Sequence, residues 1–109
     1  MSAVTTHVLD SSAGQPAAGV AVVLETHGDG AHLGAGQTDA DGRVPELGPD
    51  RLEPGSYQLR FDVGSYFASR TQDAFYPEVV VAFIIADPDQ HYHVPLLLSP
   101  YSYSTYRGS

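Results

Sequence analysis

Short stretches in which apolar and polar residues alternate, separated by glycine and proline, run through most of the 109-residue chain. In "AVTTHVLD", alternation would place Val4, Thr6 and Val8 on one face of a strand and Thr5, His7 and Leu9 on the other. In "GSYQLRFDVG", it would place residues 57, 59 and 61, all aromatic or leucine, on a single face. Both stretches therefore predict half-buried β-strands.

Further stretches predict strands with turns between them, namely "VAVVLETH", "QTDADGRVPEL", "PEVVVAFIIAD", "HYHVPLLLS" and "YSYSTYRGS". The short turn "SSAGQPAAG" predicts that the strands on either side of it are antiparallel neighbours. In "QTDADGRVPEL", the Asp-Ala-Asp-Gly segment predicts a tight turn flanked by short strands. Pro95 cannot donate to a strand ladder, so we expect it at a sheet edge or a bulge.

One stretch, "SYFASRTQDAF", breaks the alternation and predicts a short helix with Ser65 as its N-cap. The whole pattern gives seven or eight strands and one short helix, without an internal repeat or a long linker. We therefore predict an all-β protein, a β-sandwich formed by a single domain over residues 1–109. A chain of this length can bury a hydrophobic core of its own.

Composition narrows the possible partners and compartments. The chain has 13 acidic residues, five arginines and no lysine, and its net charge of −8 disfavours a nucleic-acid partner. The absence of cysteine excludes disulfides and Cys-ligated metal sites. No apolar run approaches a membrane span, and "MSAVTTHVLD" lacks the features of a leader. These features predict a soluble cytoplasmic protein with no membrane partner.

The five histidines are the side chains whose ordinary pKa lies near neutral pH. His27 and His32 lie in a glycine-rich polar stretch, which predicts solvent exposure. His91 and His93 are two positions apart on a predicted strand, so both would project from the same face. His7 lies in the middle of another strand. Structural, catalytic and metal-binding roles all remain open for these last three residues.

Sequence motifs for a protein nucleophile are missing. The chain has no Gly-X-Ser-X-Gly elbow and no glycine-rich phosphate loop before a helix. If the protein is an enzyme, we expect the nucleophile to be water, activated by a histidine and aimed by an arginine. The corresponding reaction class is hydrolysis without a covalent intermediate.

Three segments, "THVLDSSAGQPAAGV", "TDADGR" and "HYHVPLLLSPYSYSTYRGS", resemble the transthyretin-related family, the 5-hydroxyisourate hydrolases of purine breakdown. The resemblance extends from Val4 to Ser109. Vertebrate transthyretin, a thyroid-hormone carrier, shares "LLSPYSYST" but does not continue with "YRGS". The ending of this chain therefore resembles the enzyme branch of the family.

The resemblance implies a transthyretin-like sandwich that forms a homotetramer, a dimer of dimers, with two sites in a central channel between subunits. It implies hydrolysis of 5-hydroxyisourate to 2-oxo-4-hydroxy-4-carboxy-5-ureidoimidazoline, without a metal or an organic cofactor. The implied catalytic residues are His7, Arg43, His91, His93 and Ser109, and the implied substrate-binding residues are His7, Arg43, Tyr106 and Arg107.

In the mechanism that we expect, His7 and one histidine of "HYH" activate water and shuttle its proton, while Arg43 holds the planar substrate by forked hydrogen bonds. His91 and His93 have the same strand parity, so the sequence leaves open which of them acts.

Three other functions remain as alternatives: a small-ligand carrier without catalysis, a zinc site formed by the three strand histidines, and a purely structural sandwich. Histidine, arginine and tyrosine in a channel suit a small polar purine product better than an apolar hormone. No carboxylate lies at a suggestive spacing beside "HYH" to complete a zinc site.

Overall fold

The computed structural model describes residues 2–109. Two four-stranded sheets form within this range, in the orders β2-β1-β7-β8 and β4-β3-β5-β6. The prediction of an all-β sandwich with seven or eight strands and one short helix is confirmed. The elements are β1 (Val4–Asp10), β2 (Gln15–Pro16), β3 (Ala21–Thr26), β4 (His32–Gln37), β5 (Gly55–Phe61), α1 (Val63–Ser69), β6 (Val79–Ile85), β7 (Tyr92–Leu98) and β8 (Tyr103–Thr105).

The predicted alternation of buried and exposed residues is present in the strands. Every second residue of β1 is buried, beginning with Val4, and β5 buries Tyr57, Leu59 and Phe61. Burying one such side chain stabilises the fold by about 1.5–3 kcal/mol. The largest fully buried side chains fill the space between the sheets: Phe61, Phe67, Leu24, Leu47, Leu59, Ile85, Leu96 and Leu98.

The predicted antiparallel pairing of β1 with β3 is wrong, because the two strands lie in different sheets. After β1, the chain pairs back on it as β2, with Leu9 opposite Pro16. Ala17 and Val20 then enter the core, and the chain crosses to the second sheet. The other side of β1 pairs in parallel with β7, which follows it by more than 80 positions.

Pro95 lies in β7, which is an interior strand between β1 and β8, so the prediction of a sheet edge is wrong. Leu96 pairs with Thr105 and His93 forms a bridge with Gly108, a register that places Tyr106 opposite Pro95. The main-chain groups of β7 at odd positions face β8, since the carbonyl of His93 accepts from the amide of Gly108. The missing donor of Pro95 therefore coincides with the end of the β8 ladder.

The predicted helix is present as α1, but its predicted N-cap is wrong. The cap is Asp62, whose carboxylate accepts a hydrogen bond of 3.2 Å from the amide of Ser65. Ser65 is consequently inside the first turn, where its amide is one of the groups that an N-cap satisfies. The helix buries Val63, Tyr66 and Phe67 against the core. Within residues 2–109, no helical segment could cross a bilayer.

Candidate active site

Three neighbouring segments bring most of the predicted site residues together on the outer face of the sheet β2-β1-β7-β8. In the parallel register of β1 and β7, Thr5 pairs with His93 and His7 pairs with Pro95. Paired residues project on the same side of a sheet, so both histidines share this face. Their Cα atoms are about 8 Å apart, given a strand spacing of about 4.8 Å and a rise of about 3.3 Å per residue.

His93 is half-buried and holds one ring nitrogen in a hydrogen bond, with Nδ1 lying 2.8 Å from Oγ1 of Thr5. Within residues 2–109 its Nε2 makes no hydrogen bond, and it is not among the buried unsatisfied atoms, so it is open to solvent. Burial lowers the pKa of His93, the charges of Arg43, His7 and His91 lower it further, and a hydrogen bond with the main chain of Thr5 acts in the opposite direction. The lowered pKa favours the neutral form of the His93 ring.

His91 was predicted to begin this strand, but β7 starts one residue later, at Tyr92, and His91 is exposed. Its Nε2 is 2.8 Å from Oγ1 of Thr5, the same atom that contacts His93. The structure thus brings both histidines of "HYH" onto one hydroxyl group. Thr5 is not among the predicted site residues, although its position two residues before His7 places it on the same strand face.

His7 projects from the middle of β1 and is half-buried. Its Nε2 is 2.8 Å from the main-chain carbonyl of Asp41. A carbonyl only accepts, so Nε2 carries a proton and donates it, and the lone pair of the neutral ring lies on Nδ1.

The predicted tight turn at residues 39–42 supplies this carbonyl and is confirmed. Asp39 accepts hydrogen bonds on its carboxylate from the amides of Asp41 and Arg43, at 2.9 and 3.1 Å. Gly42 has a φ of +80°, and a Cβ there would lie 2.3 Å from the carbonyl oxygen of Val8. The close approach of the turn to β1 therefore requires glycine at this position. The short strand expected after the turn is reduced to one bridge at residue 43.

Arg43 leaves the turn directly beside His7, with which it forms an antiparallel bridge. Its side chain is exposed, and within residues 2–109 its guanidinium makes no ion pair or hydrogen bond. The other arginines lie against carboxylates or tyrosine rings: Arg51 with Asp89, Arg60 with Glu25 and Glu78, Arg70 with Tyr66, and Arg107 with Tyr92.

The segment after β8 continues along the same face. Tyr106 lies opposite Pro95 and is 59% exposed. The amide of Gly108 donates a hydrogen bond of 2.8 Å to the carbonyl of His93, and Ser109 follows, exposed. The register therefore places Tyr106 in line with His7, and Gly108 in line with Thr5 and His93.

The side chain of Arg107 points away from the outer face that carries His7 and His93. Its guanidinium carbon is 4.6 Å from the centre of the Tyr92 ring, and its Nη2 donates a hydrogen bond of 3.0 Å to Gln90. Residues on either side of Arg107 in the chain share the outer face, so alternation directs Arg107 to the inner one. Within this chain, the side chains of Arg107 and Tyr106 thus point to opposite faces of the sheet.

A cavity of about 310 Å³ opens between β6 and the end of the chain. Its walls combine apolar β6 side chains with residues of β7 and the terminal segment, including Val81, Phe83, Ile84, His93, Tyr106 and Arg107. Among residues 2–109, no three histidine, aspartate or glutamate side chains are grouped so as to hold a metal ion.

Two facing four-stranded sheets thus form a β-sandwich that carries a histidine and arginine cluster on one outer face. The model of the HIUase/Transthyretin family matches residues 4–108, and the chain belongs to this family. It is 51% identical to the 5-hydroxyisourate hydrolase of Salmonella dublin over 106 residues, which cover 94% of this chain and 78% of that protein. It is 46% identical to the mouse 5-hydroxyisourate hydrolase, covering 99% of this chain and 96% of that protein.

Solved structures give the same result for the fold. The Klebsiella pneumoniae 5-hydroxyisourate hydrolase superposes with a TM-score of 0.87 at 37% identity, covering 97% of this chain and 98% of that chain. Sea bream transthyretin in complex with thyroxine also gives 0.87, at 32% identity, covering 96% of this chain and 93% of that chain. The predictions of the family and of a hydrolase are confirmed by these relatives.

Proposed function

We propose that this protein hydrolyses 5-hydroxyisourate to 2-oxo-4-hydroxy-4-carboxy-5-ureidoimidazoline, with water as the nucleophile. The observation that carries the proposal is the placement of His7, His93 and Arg43 on one sheet face, each with an open hydrogen-bonding group. The 5-hydroxyisourate hydrolases of Salmonella dublin and mouse, to which the chain is similar over nearly its whole length, support the choice of substrate.

Opening a ring amide with water needs a base, a group that stabilises the oxyanion, and an acid for the leaving nitrogen. The open Nε2 of His93 takes a proton from water while the water oxygen bonds to the carbonyl carbon. The Nδ1 of His7 accepts the second hydrogen of the water and aligns it. When the carbon–nitrogen bond breaks, the proton on Nε2 of His93 passes to the leaving nitrogen. Each general acid or base contributes about 10²–10⁴ in rate.

Between the histidines of "HYH", His93 is the better candidate for this base. His93 pairs with Gly108 and is half-buried, whereas His91 is exposed just before β7. The lowered pKa of His93 keeps its lone pair available at neutral pH.

Arg43 holds the substrate in this proposal. A guanidinium presents donors in a rigid fork that suits planar, electron-rich groups and a developing oxyanion. Tyr106 flanks the same face, and Ser109 stays a predicted catalytic residue at the end of the terminal segment. Arg107 stays a predicted substrate-binding residue, and because it lies against Tyr92 in its own chain, it would act from a neighbouring subunit.

We also propose the homotetramer, a dimer of dimers whose sites lie in a central channel between subunits. The face that carries the histidines also carries half-buried Leu9 and Leu97, and the edge strand β6 exposes 70% of Ile84. Apolar side chains in such positions suit contacts between copies. Sedimentation of the purified protein at four times the mass of the chain is the expected result. One domain over residues 1–109, a cytoplasmic location and independence from metals and organic cofactors complete the proposal.

The test is to generate 5-hydroxyisourate from urate and urate oxidase in the cuvette and to follow the loss of its absorbance. Added protein should accelerate this loss above the spontaneous rate, and a chelator should not change the acceleration. The alternative is a small-ligand carrier without catalysis, a function compatible with the equal structural similarity to a transthyretin solved with thyroxine. Absence of acceleration, with binding of an apolar ligand, would overturn the hydrolase in favour of the carrier.

A further inference from the structure

The hydroxyl group of Thr5 bridges the two histidines of "HYH". Its Oγ1 lies 2.8 Å from Nδ1 of His93 and 2.8 Å from Nε2 of His91. A parallel pairing of β1 with β7 holds Thr5 directly opposite His93. Of the two rings, one is half-buried with its second nitrogen open at the proposed site, and the other is exposed to solvent.

A threonine hydroxyl has one proton to donate and can accept others. When it donates to Nε2 of His91, it must accept from Nδ1–H of His93, which leaves the lone pair of His93 on Nε2. When it donates to Nδ1 of His93, His91 must provide Nε2–H and His93 carries its proton on Nε2. The two hydrogen bonds therefore couple the protonation of His91 to the tautomer of His93.

We propose that Thr5 is a proton relay that places the positive charge of the reaction on His91 instead of His93, an inference that rests on the proposed function. As Nε2 of His93 takes the proton of water, the Nδ1–H bond of His93 breaks and that proton bonds to Oγ1 of Thr5. The proton that Thr5 held bonds to Nε2 of His91. His93 is then neutral with a proton on Nε2, and His91 is an imidazolium.

The second half of the cycle reverses these transfers. Nε2 of His93 gives its proton to the leaving nitrogen as the carbon–nitrogen bond breaks. The proton on Nε2 of His91 returns to Oγ1 of Thr5, and the hydroxyl proton of Thr5 returns to Nδ1 of His93. All three residues regain their starting protonation states, so the cycle consumes no co-reactant.

The surroundings of the two rings favour placing the positive charge on His91 instead of His93. Arg43 in the turn, His7 in β1 and His91 just before β7 each lower the pKa of His93 through their charge. An imidazolium at His93 would add a further charge to this partly buried cluster. His91 instead is exposed to solvent, where water can stabilise a cation.

Thr5→Val removes the hydroxyl and keeps the β-branched shape that suits a strand, while Thr5→Ser keeps the hydroxyl. We expect Thr5→Val and His91→Asn each to lower kcat by about 10- to 100-fold, a fraction of a full acid–base contribution, with KM unchanged. The double variant should be no slower than either single one, and Thr5→Ser should stay near wild type. His32→Asn, an exposed histidine on the other sheet, is the matched control.

Two readouts separate a relay from a merely structural role of Thr5. Rates in mixtures of light and heavy water should depend non-linearly on deuterium content for wild type and Thr5→Ser, and linearly for Thr5→Val. Nitrogen NMR of the imidazoles, without substrate, should show the proton of neutral His93 moving from Nδ1 to Nε2 as His91 is protonated. In Thr5→Val this movement should be lost.

The outcomes are distinct. The relay is wrong, and the proposed function stands, if the wild-type protein accelerates the reaction and Thr5→Val has the same kcat. The same conclusion follows if the tautomer of His93 does not change when His91 is protonated. No acceleration by the wild-type protein overturns the proposed function, and the catalytic relay falls with it.

Discussion

Gly108 lies against the imidazole ring of His93, so that a Cβ at position 108 would come within 2.5 Å of Cδ2 of that ring. Gly108→Ala should push the ring aside and lower kcat/KM by about 10- to 100-fold, since displacements of about 1 Å in a site carry penalties of that order. Steady-state kinetics and circular dichroism check this. Gly55→Ala, whose nearest neighbour is 3.7 Å away on Tyr57, is the control. Unchanged kcat/KM would show that the ring position is unimportant.

Removal of the imidazole at His7 or His93 should lower kcat/KM by about 10²–10⁴, the contribution of one general acid or base. Asparagine replaces each ring with a neutral polar group of smaller size, so the strands should remain paired. The matched control is His32→Asn in β4, far along the other sheet. The proposed mechanism is wrong if neither His7→Asn nor His93→Asn loses at least about tenfold.

Arg43→Lys should raise KM by about tenfold or more, because a lysine keeps the charge but loses the fork, and one hydrogen bond to a charged group is worth about 1.5–3 kcal/mol. Arg43→Gln should in addition raise the pKa of His93, since the charge of Arg43 is one of the causes that lower it. NMR titration of the His93 ring measures this shift. Arg51→Lys serves as the control, because Arg51 pairs with Asp89 on the surface. An unchanged KM in Arg43→Lys would remove Arg43 from substrate binding.

Deletion of residues 106–109 should leave a folded protein with little activity. The β8 pairing at residues 103–105 remains, as does the core between the sheets. The deletion removes Tyr106 from the site face and Ser109 from the end of the chain, together with the hydrogen bond from Gly108 that anchors the segment to His93. Circular dichroism and the absorbance assay report the two properties separately. Full activity of the truncated protein would reduce the terminal motif to a family signature.

Tyr66→Phe should lower the free energy of unfolding by about 1–3 kcal/mol, because it leaves a buried acceptor short of one donor. Asp10 is 1% exposed and accepts a hydrogen bond of 2.7 Å from the Tyr66 hydroxyl. Urea denaturation measures the change, and Tyr101→Phe, at a residue that is 66% exposed, is the control. Equal losses in the two variants would contradict a specific contribution of the buried pair.

The same pair gives stability a defined pH dependence. Burial raises the pKa of Asp10, but hydrogen bonds from Ser12, Tyr66 and main-chain amides outweigh it, and the folded-state pKa lies below the ordinary 3.8. This contribution is present above pH 3.8 and is lost as the pH falls through the lowered value. Burial and the bond to Asp10 raise the pKa of Tyr66 to about 12, so its contribution is complete below pH 10 and lost as the pH rises through 12. In Tyr66→Phe the alkaline loss should disappear.

Periodicity predicted the strands well, because burial within one strand follows the alternation of its own residues. It thereby placed His7 on the face of β1 opposite Val4 and Val8, and the two histidines of "HYH" on a shared face. The N-cap was misplaced because Asp62 and Ser65 are both good capping residues, and the choice depends on which amide each side chain reaches. The candidate role of Arg43 came from the family resemblance, as did those of the terminal residues.

Local sequence patterns do not show which strands pair with each other. The assignment of β3 to the opposite sheet depends on how residues 11–20 cross the edge of the sandwich. An interior strand tolerates Pro95 because β8 ends at Thr105. The role of Thr5 was missed for the same reason. Its partners lie 86 and 88 positions away in the chain, and a lone threonine on a strand face carries no signal of them.

The parallel pairing of β1 with β7 also has a consequence for folding kinetics. It joins residues as far as 88 positions apart, so closing this loop costs chain entropy before any of the contacts can repay it. Proteins dominated by such distant contacts fold slowly compared with helical bundles. During synthesis His7 emerges early, but its face of the sheet stays incomplete until β7 has been made and has docked beside β1. Activity in a refolding experiment should therefore not appear before this long-range closure.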